Sequence, residues 1–260
     1  RDREGTDPEK FKVSGRGELH LSVLLENMRR EGFELAVSRP EVIFREVEGE
    51  VCEPYEQLTV DVEETSQGAI MEALGTRKGD LKNMSPDGKG RVRLDYIIPS
   101  RGLIGFQTEF MTTTSGTGLM YHVFDHYGPA QSGGIAPRQN GVLISNGQGK
   151  VLGYSLAALQ ERGKLFVDPG DEVYEGQIVG LHSRSNDLTV NPLKGKQLTN
   201  VRASGKDDAI QLTPPVKFSL EQALEFVEDD ELVELTPSAI RIRKRHLKEH
   251  ERKKANREAK

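Results

Sequence analysis

The chain carries one cysteine, Cys52, in 260 residues. A single thiol excludes an internal disulfide and any cysteine-based zinc site, and it fits a reducing compartment. No apolar run approaches the ~20 residues needed to cross a bilayer, and no signal-peptide pattern is present, so a membrane partner is not expected. A nucleotide-binding loop is also missing. Such a loop needs two glycines bracketing four residues, then Lys and Ser or Thr. Gly149-Lys150 is followed by Val151, so Gly147-Gln148-Gly149 reads as a turn. Aromatic residues are only 6% of the chain, and none interleaves with its basic segments. Base stacking on an aromatic platform is therefore not indicated.

What is present is an uneven distribution of charge. Residues 241–260 hold ten Lys/Arg against three Asp/Glu, whereas the rest of the chain holds 26 against 38. An acidic body with a basic tail points to a polyanionic partner such as RNA, set against a plain solubilising tail. A second basic stretch, residues 182–206, has five Lys/Arg and one acid, Asp187. Its apolar pattern fails for more than twenty residues, which marks either a functional loop or a simple flexible insertion.

Elsewhere the apolar residues are periodic. Leu21, Leu24, Leu25 and Met28 share one face of a helix over residues 18–31, with Gly32 as its C-terminal cap and a strand at Phe33–Val37. A second short strand is expected at Val42-Ile43-Phe44. Residues 53–127 alternate and wind in the order βαββαβ, with half-buried strands at Leu58–Val62 and Val92–Tyr96. Residues 128–136 read as a linker. Beyond it come short strands with frequent turns, a texture that predicts a small barrel. Asn146-Gly147 signals a hairpin between strands at Val142–Ile144 and Val151–Tyr154. Ser219 with Gln222 forms a capping box opening the one helix expected there, and Ile240 and Ile242 can anchor the tail as an edge strand.

The fold class is therefore α+β: two ferredoxin-like βαββαβ modules, the first incomplete, then a mainly β domain with one helix. The boundaries fall at residues 1–52, 53–128 and 129–260. A strand–helix unit at the very start of the chain suggests the C-terminal part of a longer protein. His122 and His126 on a strand do not make the helical metal pair, Asp125-His126-Tyr127-Gly128 has only the spacing of a GTPase switch, and the acids Glu228–Glu231 read as a solvated face. No nucleophile–base pair can be assigned. The candidate RNA contacts are Arg184, Lys194, Lys196, Arg202 and Lys206, with the amides of Asn186 and Asn191, and Arg241, Arg243, Lys244 and Arg245 in the tail. Cations bind phosphate regardless of sequence, and amides add contacts suited to folded RNA.

Several longer motifs carry a resemblance. Ser14-Gly15-Arg16-Gly17-Glu18-Leu19-His20-Leu21 is similar to the domain III helix start of translational GTPases. Glu53-Pro54-Tyr55, Arg77-Lys78-Gly79-Asp80 and Ser100-Arg101-Gly102-Leu103-Ile104-Gly105-Phe106 resemble their domain V. Elongation factor G places a large domain between the two, for which Phe44 to Tyr55 leaves no room; that leaves the BipA (TypA) and LepA families. Residues 138–150, Glu175-Gly176-Gln177-Ile178-Val179-Gly180, His182-Ser183-Arg184-Ser185-Asn186-Asp187-Leu188 and Arg241-Ile242-Arg243-Lys244-Arg245 look like BipA.

The resemblance implies a cytoplasmic, monomeric, ribosome-associated GTPase acting in stress and cold adaptation and in large-subunit assembly. Its partners would be the 70S ribosome, the 50S subunit with its 23S rRNA, and A-site tRNA reached by the 182–206 loop. GTP and Mg2+ would belong to an upstream domain, leaving this part without a cofactor, a metal or catalysis of its own. Two other readings stay open: a ferredoxin-like regulatory module that binds a small metabolite, and an autonomous GTPase with an unfamiliar site.

Overall fold

A computed structural model of the chain describes residues 10–15, 17–134, 138–195 and 211–258. The described residues form two compact units. One runs up to Arg39 and resumes at Arg138; the other begins at Pro40. The first elements of the chain are helix α1 (Glu18–Arg30) and strand β1 (Leu35–Val37). Gly32, with φ 93°, ends α1, and the Phe33 amide reaches back to the Met28 carbonyl. The inward face of α1 keeps Leu21, Leu25 and Met28 of the expected one, each half-buried. Ser22 is buried and donates to the Glu18 carbonyl, while Leu24 is exposed.

The unit from Pro40 is the expected βαββαβ module with one strand added. Strand β2 (Arg45–Val47) turns through Glu48 and Gly49, both at positive φ, into the long β3 (Glu50–Glu63). Then follow α2 (Glu64–Thr76), β4 (Asp80–Pro86), β5 (Arg91–Pro99), α3 (Ser100–Leu103), α4 (Phe106–Thr113) and β6 (Leu119–Pro129). The sheet runs β4-β5-β3-β6, antiparallel throughout, with β2 also beside β3. Leu58, Val60 and Val62 of β3 and Val92, Leu94, Tyr96 and Ile98 of β5 face Ile70, Leu74, Phe106 and Phe110 of the helices. Alternation along β3 and β5 is what builds this core. The expected second helix is broken in two by Gly105, at φ 73°.

Two sequence expectations change here. The expected boundary at residue 52 gives way to a passage between units at Arg39 and Pro40, because the Glu48-Gly49 turn folds β2 onto β3. The described part of the expected linker is tied down. Buried Glu53 accepts from the Gln131 amide (2.8 Å) and pairs with Arg101 (2.5 Å), which donates to the carbonyls of Gln131 (2.6 Å) and Gly133 (2.7 Å).

The other unit contains β7 (Val142–Ser145), β8 (Gly149–Lys150), α5 (Gly153–Leu159), a 3₁₀ turn (Gln160–Arg162), β9 (Gly163–Leu165), β10 (Glu172–Val173), β11 (Ile178–His182), β12 (Leu188–Val190), α6 (Leu220–Phe226), β13 (Glu231–Thr236), β14 (Ala239–Lys244) and α7 (Glu249–Glu258). Its strands divide among three sheets instead of closing the expected barrel: β12-β7-β11-β9, β10-β8 and β1-β13-β14. Asn146-Gly147 therefore does not make a hairpin, since β7 and β8 pair with different partners. Of the residues expected to form a strand at 151–154, Gly153 and Tyr154 instead open α5, so the unit has more than the one expected helix. Ser219 and Gln222 form the expected capping box of α6.

Strand β1 completes the sheet of this unit. Leu35 stands opposite Leu235 and Val37 opposite Val233. Leu25, Leu35 and Val37 pack on the core of Leu220, Ala223, Leu224, Val227, Val233 and Ile242. No helix among the described residues is long and apolar enough to cross a membrane.

Candidate nucleic-acid interface

The basic loop rises from the end of β11 and returns through β12, which lies parallel to β7. Its root is held by backbone and side-chain bonds to Gly141 and Val142. The Gly141 amide donates to the Arg184 carbonyl (2.8 Å), and the His182 amide donates to the Gly141 carbonyl (2.8 Å). A Cβ on Gly141 would lie 2.3 Å from the Asn186 carbonyl, so only glycine permits this approach. Nδ1–H of buried His182 donates to the Asn186 carbonyl (2.6 Å), fixing the tautomer. One Asp187 oxygen accepts from the Val142 amide (2.9 Å) and the other pairs with Lys244 (2.7 Å).

From this root Arg184 and Asn186 stand exposed, as does Lys194 beyond β12. Asn191 is also exposed, but its side-chain oxygen accepts from the Leu193 amide (2.9 Å) and its carbonyl from Ser155 (2.6 Å). It shapes the turn after β12. Lys196, Arg202 and Lys206 lie outside the described residues.

The tail residues separate by their partners. Arg241 and Arg243 on β14 both pair with Glu234 at 3.5 Å, and Tyr174 donates to the same carboxylate (2.6 Å). Burial, the bond to Glu234 and its charge push the Tyr174 hydroxyl well above its ordinary value. Lys244 is 2% exposed and meets three carboxylates: Asp187 (2.7 Å), Asp230 (2.9 Å) and Glu231 (3.0 Å). An ammonium has three N–H donors, and all three are engaged, so Lys244 presents no face to a phosphate. This corrects its place among the RNA contacts. Arg245 is exposed, and beyond it Lys248, Lys253, Lys254 and Arg257 extend onto or along the exposed helix α7. Sequence reasoning counted these four within the basic tail 241–260 but did not name them as contacts.

Of the acids expected as a solvated face, Asp229 and Asp230 are exposed, whereas Glu231 is the centre of a buried ion cluster. Glu231 is fully buried and is bound by Arg138 through both guanidinium ends (2.8 and 3.1 Å) and by Lys244 (3.0 Å). It also accepts from the Glu228 amide (3.0 Å). The Arg138 amide donates to Glu228 (2.6 Å), which Arg39 also pairs (3.2 Å). Arg138 lies over the Phe226 ring at 4.2 Å and donates to the carbonyls of Asn140 and Phe226. Burial alone would raise the Glu231 pKa, but the Arg138 bond and the charges of Arg138 and Lys244 hold the carboxyl below its ordinary range. Burial would lower Lys244, but the charge of Glu231 and the bonds to Asp187 and Asp230 raise it instead.

Lys244 and Asp187 therefore join the root of the loop to the start of the tail. Two basic elements distant in sequence become neighbours, and Arg184 and Arg245 within them are exposed. Among the described residues no group of three or more His, Cys, Asp or Glu is placed to hold a metal ion.

Residues 50–134 match the family model of the elongation factor G C-terminus, and residues 140–249 match that of the TypA/BipA C-terminal domain. Fold and matches together define one elongation-factor-type module followed by a C-terminal domain of the TypA/BipA type. Proteins named "Large ribosomal subunit assembly factor BipA" from Salmonella typhimurium and Haemophilus influenzae are each 70% identical over 254 residues, 98% of this chain. One from Buchnera aphidicola is 64% identical over 258 residues. The chain belongs to the TypA/BipA family. It spans about two-fifths of the length of these relatives, 42%, 41% and 42% respectively.

Proposed function

We propose that this chain is the ribosome- and RNA-binding region of a TypA/BipA-type factor. The 50S subunit, with its 23S rRNA, is its main target, reached also within the 70S ribosome. The loop of Arg184 and Lys194 and the tail from Arg245 through α7 form one electrostatic surface for RNA phosphates, including those of A-site tRNA. The joining of these two basic elements through Lys244 and Asp187 carries this reading. The name these relatives carry, large ribosomal subunit assembly factor, supports the ribosomal target. In this reading the factor works as a monomer in the cytoplasm, during stress and cold adaptation. GTP and Mg2+ are handled outside the two matched regions.

The test is co-sedimentation of the chain with 50S subunits and 70S ribosomes across a salt series. Saturable binding that weakens steeply with salt is expected. The Arg184→Ala, Lys194→Ala double variant should bind more weakly, with a salt slope shallower by roughly 0.7–0.9 for each phosphate it no longer neutralises. Unchanged affinity and slope would refute the loop assignment.

A further inference from the structure

We propose that Asp187, Lys244 and Glu231 are positioning residues for the RNA-binding loop, which they hold in its bound geometry without touching RNA; this rests on the proposed role of the loop in binding RNA. The argument begins with the partners of Asp187. Its carboxylate is split between two elements, one oxygen on the Val142 amide of β7 and the other on Lys244 at the end of β14. The residue is thus clamped from both sides, and it follows Arg184 by only three positions. Together with the Gly141–Arg184 backbone bond this fixes the direction in which the Arg184 side chain leaves the surface.

Lys244 is in turn fixed by Asp230 and Glu231, and Glu231 by the two-pronged Arg138. Arg138 has no freedom of its own, because Asn140, Phe226 and the Phe226 ring hold it. An unbroken series of ion pairs therefore runs from Asp187 to the cores of β7, α6 and β13.

Charge shows that the cluster positions the loop and does not itself attract RNA. Arg39, Arg138 and Lys244 meet Asp187, Glu228, Asp230 and Glu231, so acids outnumber bases at the centre. Such a group repels phosphate. Nor is stability a sufficient reason for it, since well-packed apolar residues often serve as well as a buried ion pair or better. Ion pairs differ from apolar contacts in direction: three N–H bonds accept one arrangement of three carboxylates. A loop held in this way loses less side-chain freedom when RNA binds.

Asp187→Asn isolates the effect. The amide keeps the volume and the oxygen that accepts from Val142, but it removes the charge facing Lys244. Asp187 lies at the exposed end of the cluster, its side chain 39% accessible, so the unit should fold. Binding to 50S subunits across the salt series, amide exchange over residues 138–145 and 182–195, and thermal unfolding are compared for the parent, Asp187→Asn and Arg184→Ala. For Asp187→Asn we expect faster exchange at the loop root and affinity lower by roughly two- to tenfold, as for ordering a long side chain on binding. Its salt slope should match the parent, because the same phosphates are still neutralised, whereas Arg184→Ala should make the slope shallower. If Arg184→Ala weakens binding while Asp187→Asn binds like the parent, or if Asp187→Asn changes the slope as Arg184→Ala does, the positioning role is overturned and the loop reading stands. If Arg184→Ala itself binds like the parent, the loop reading falls and the positioning role with it.

Discussion

Removing the Glu231 carboxylate tests the buried cluster at its centre. The side chain is fully buried and serves Arg138, Lys244 and the Glu228 amide at once. In Glu231→Ala, Arg138 keeps its carbonyl partners and Lys244 keeps Asp187 and Asp230, but two cations lose the anion between them. Breaking a buried pair by removing one partner costs about 3–5 kcal/mol. The remaining carboxylates place the expected loss near the lower end, about 3 kcal/mol. For a domain of this size that lowers the melting temperature by roughly 6–12 °C, at about 2–4 °C per kcal/mol. Glu231→Gln keeps the volume and should still lose most of this, because the charge is what faces the two cations. Thermal unfolding followed by circular dichroism measures the loss. Amide exchange should place it in residues 138–145, 182–190 and 226–244 and leave residues 50–134 unchanged. Raising the salt should not restore the difference, since buried pairs are weakly screened. If both variants stay within ~1 kcal/mol of the parent, the cluster is a solvated feature and the reasoning fails.

The same cluster sets two limits in pH. Glu231 titrates below its ordinary range when folded, so its contribution is complete above the ordinary carboxylate range and is lost as pH falls through the depressed value. Lys244 titrates above its ordinary range, so its contribution is complete below that range and is lost as pH rises through the raised value. Unfolding free energy against pH should be flat between these limits, and Glu231→Gln should flatten the acid limb; a parent-like acid limb in that variant would contradict the assignment. A chain shortened to residues 40–134 should fold alone, because the core of that unit draws only on its own residues, whereas residues 138–260 alone should lose stability and bind a hydrophobic dye. Equal stability of residues 138–260 with and without α1 and β1 would contradict the role of β1 in completing the sheet.

How much of this was legible from the sequence depended on the length of the elements. The strands β3 and β5 are long enough for alternation to show, and Leu58, Val60, Val62, Val92, Leu94 and Tyr96 all proved to be core. The capping box at Ser219 was legible because its two bonds are local. In the unit that contains β7 to β14 many strands have two to five residues and pair with partners remote in sequence. A turn dipeptide such as Asn146-Gly147 then says where the chain bends but not which strands meet. Helix α5 escaped notice because Val151 and Leu152 just before it mimic a strand, and its N-terminus has no side-chain cap to announce it. At the candidate site the types of residue were legible and their partners were not. Glu231 and Lys244 look like surface charges until β13 and β14 pair and place them opposite each other.

That pairing changes what the charge asymmetry means. The excess of acid in the body and of base in the tail are partly the two halves of one internal structure. Glu234 takes Arg241 and Arg243, while Asp187, Asp230 and Glu231 take Lys244. The first part of the tail is thereby a strand that the acidic body holds, and Ile242, 4% exposed, anchors it in the core. After Lys244 the exposed positive charge begins at Arg245 and continues along α7, where Lys253 pairs with Glu249 (2.6 Å) and Lys254 with Glu258 (3.8 Å) on the same helix. Leu247 helps to set where that helix starts, packing so closely on Gly176 that a Cβ there would lie 2.6 Å from the Leu247 Cα. A count of Lys and Arg treats every residue of the tail alike. The structure divides them into those that hold the tail in place and those that the held tail presents, and the RNA-binding reading rests on the second group alone.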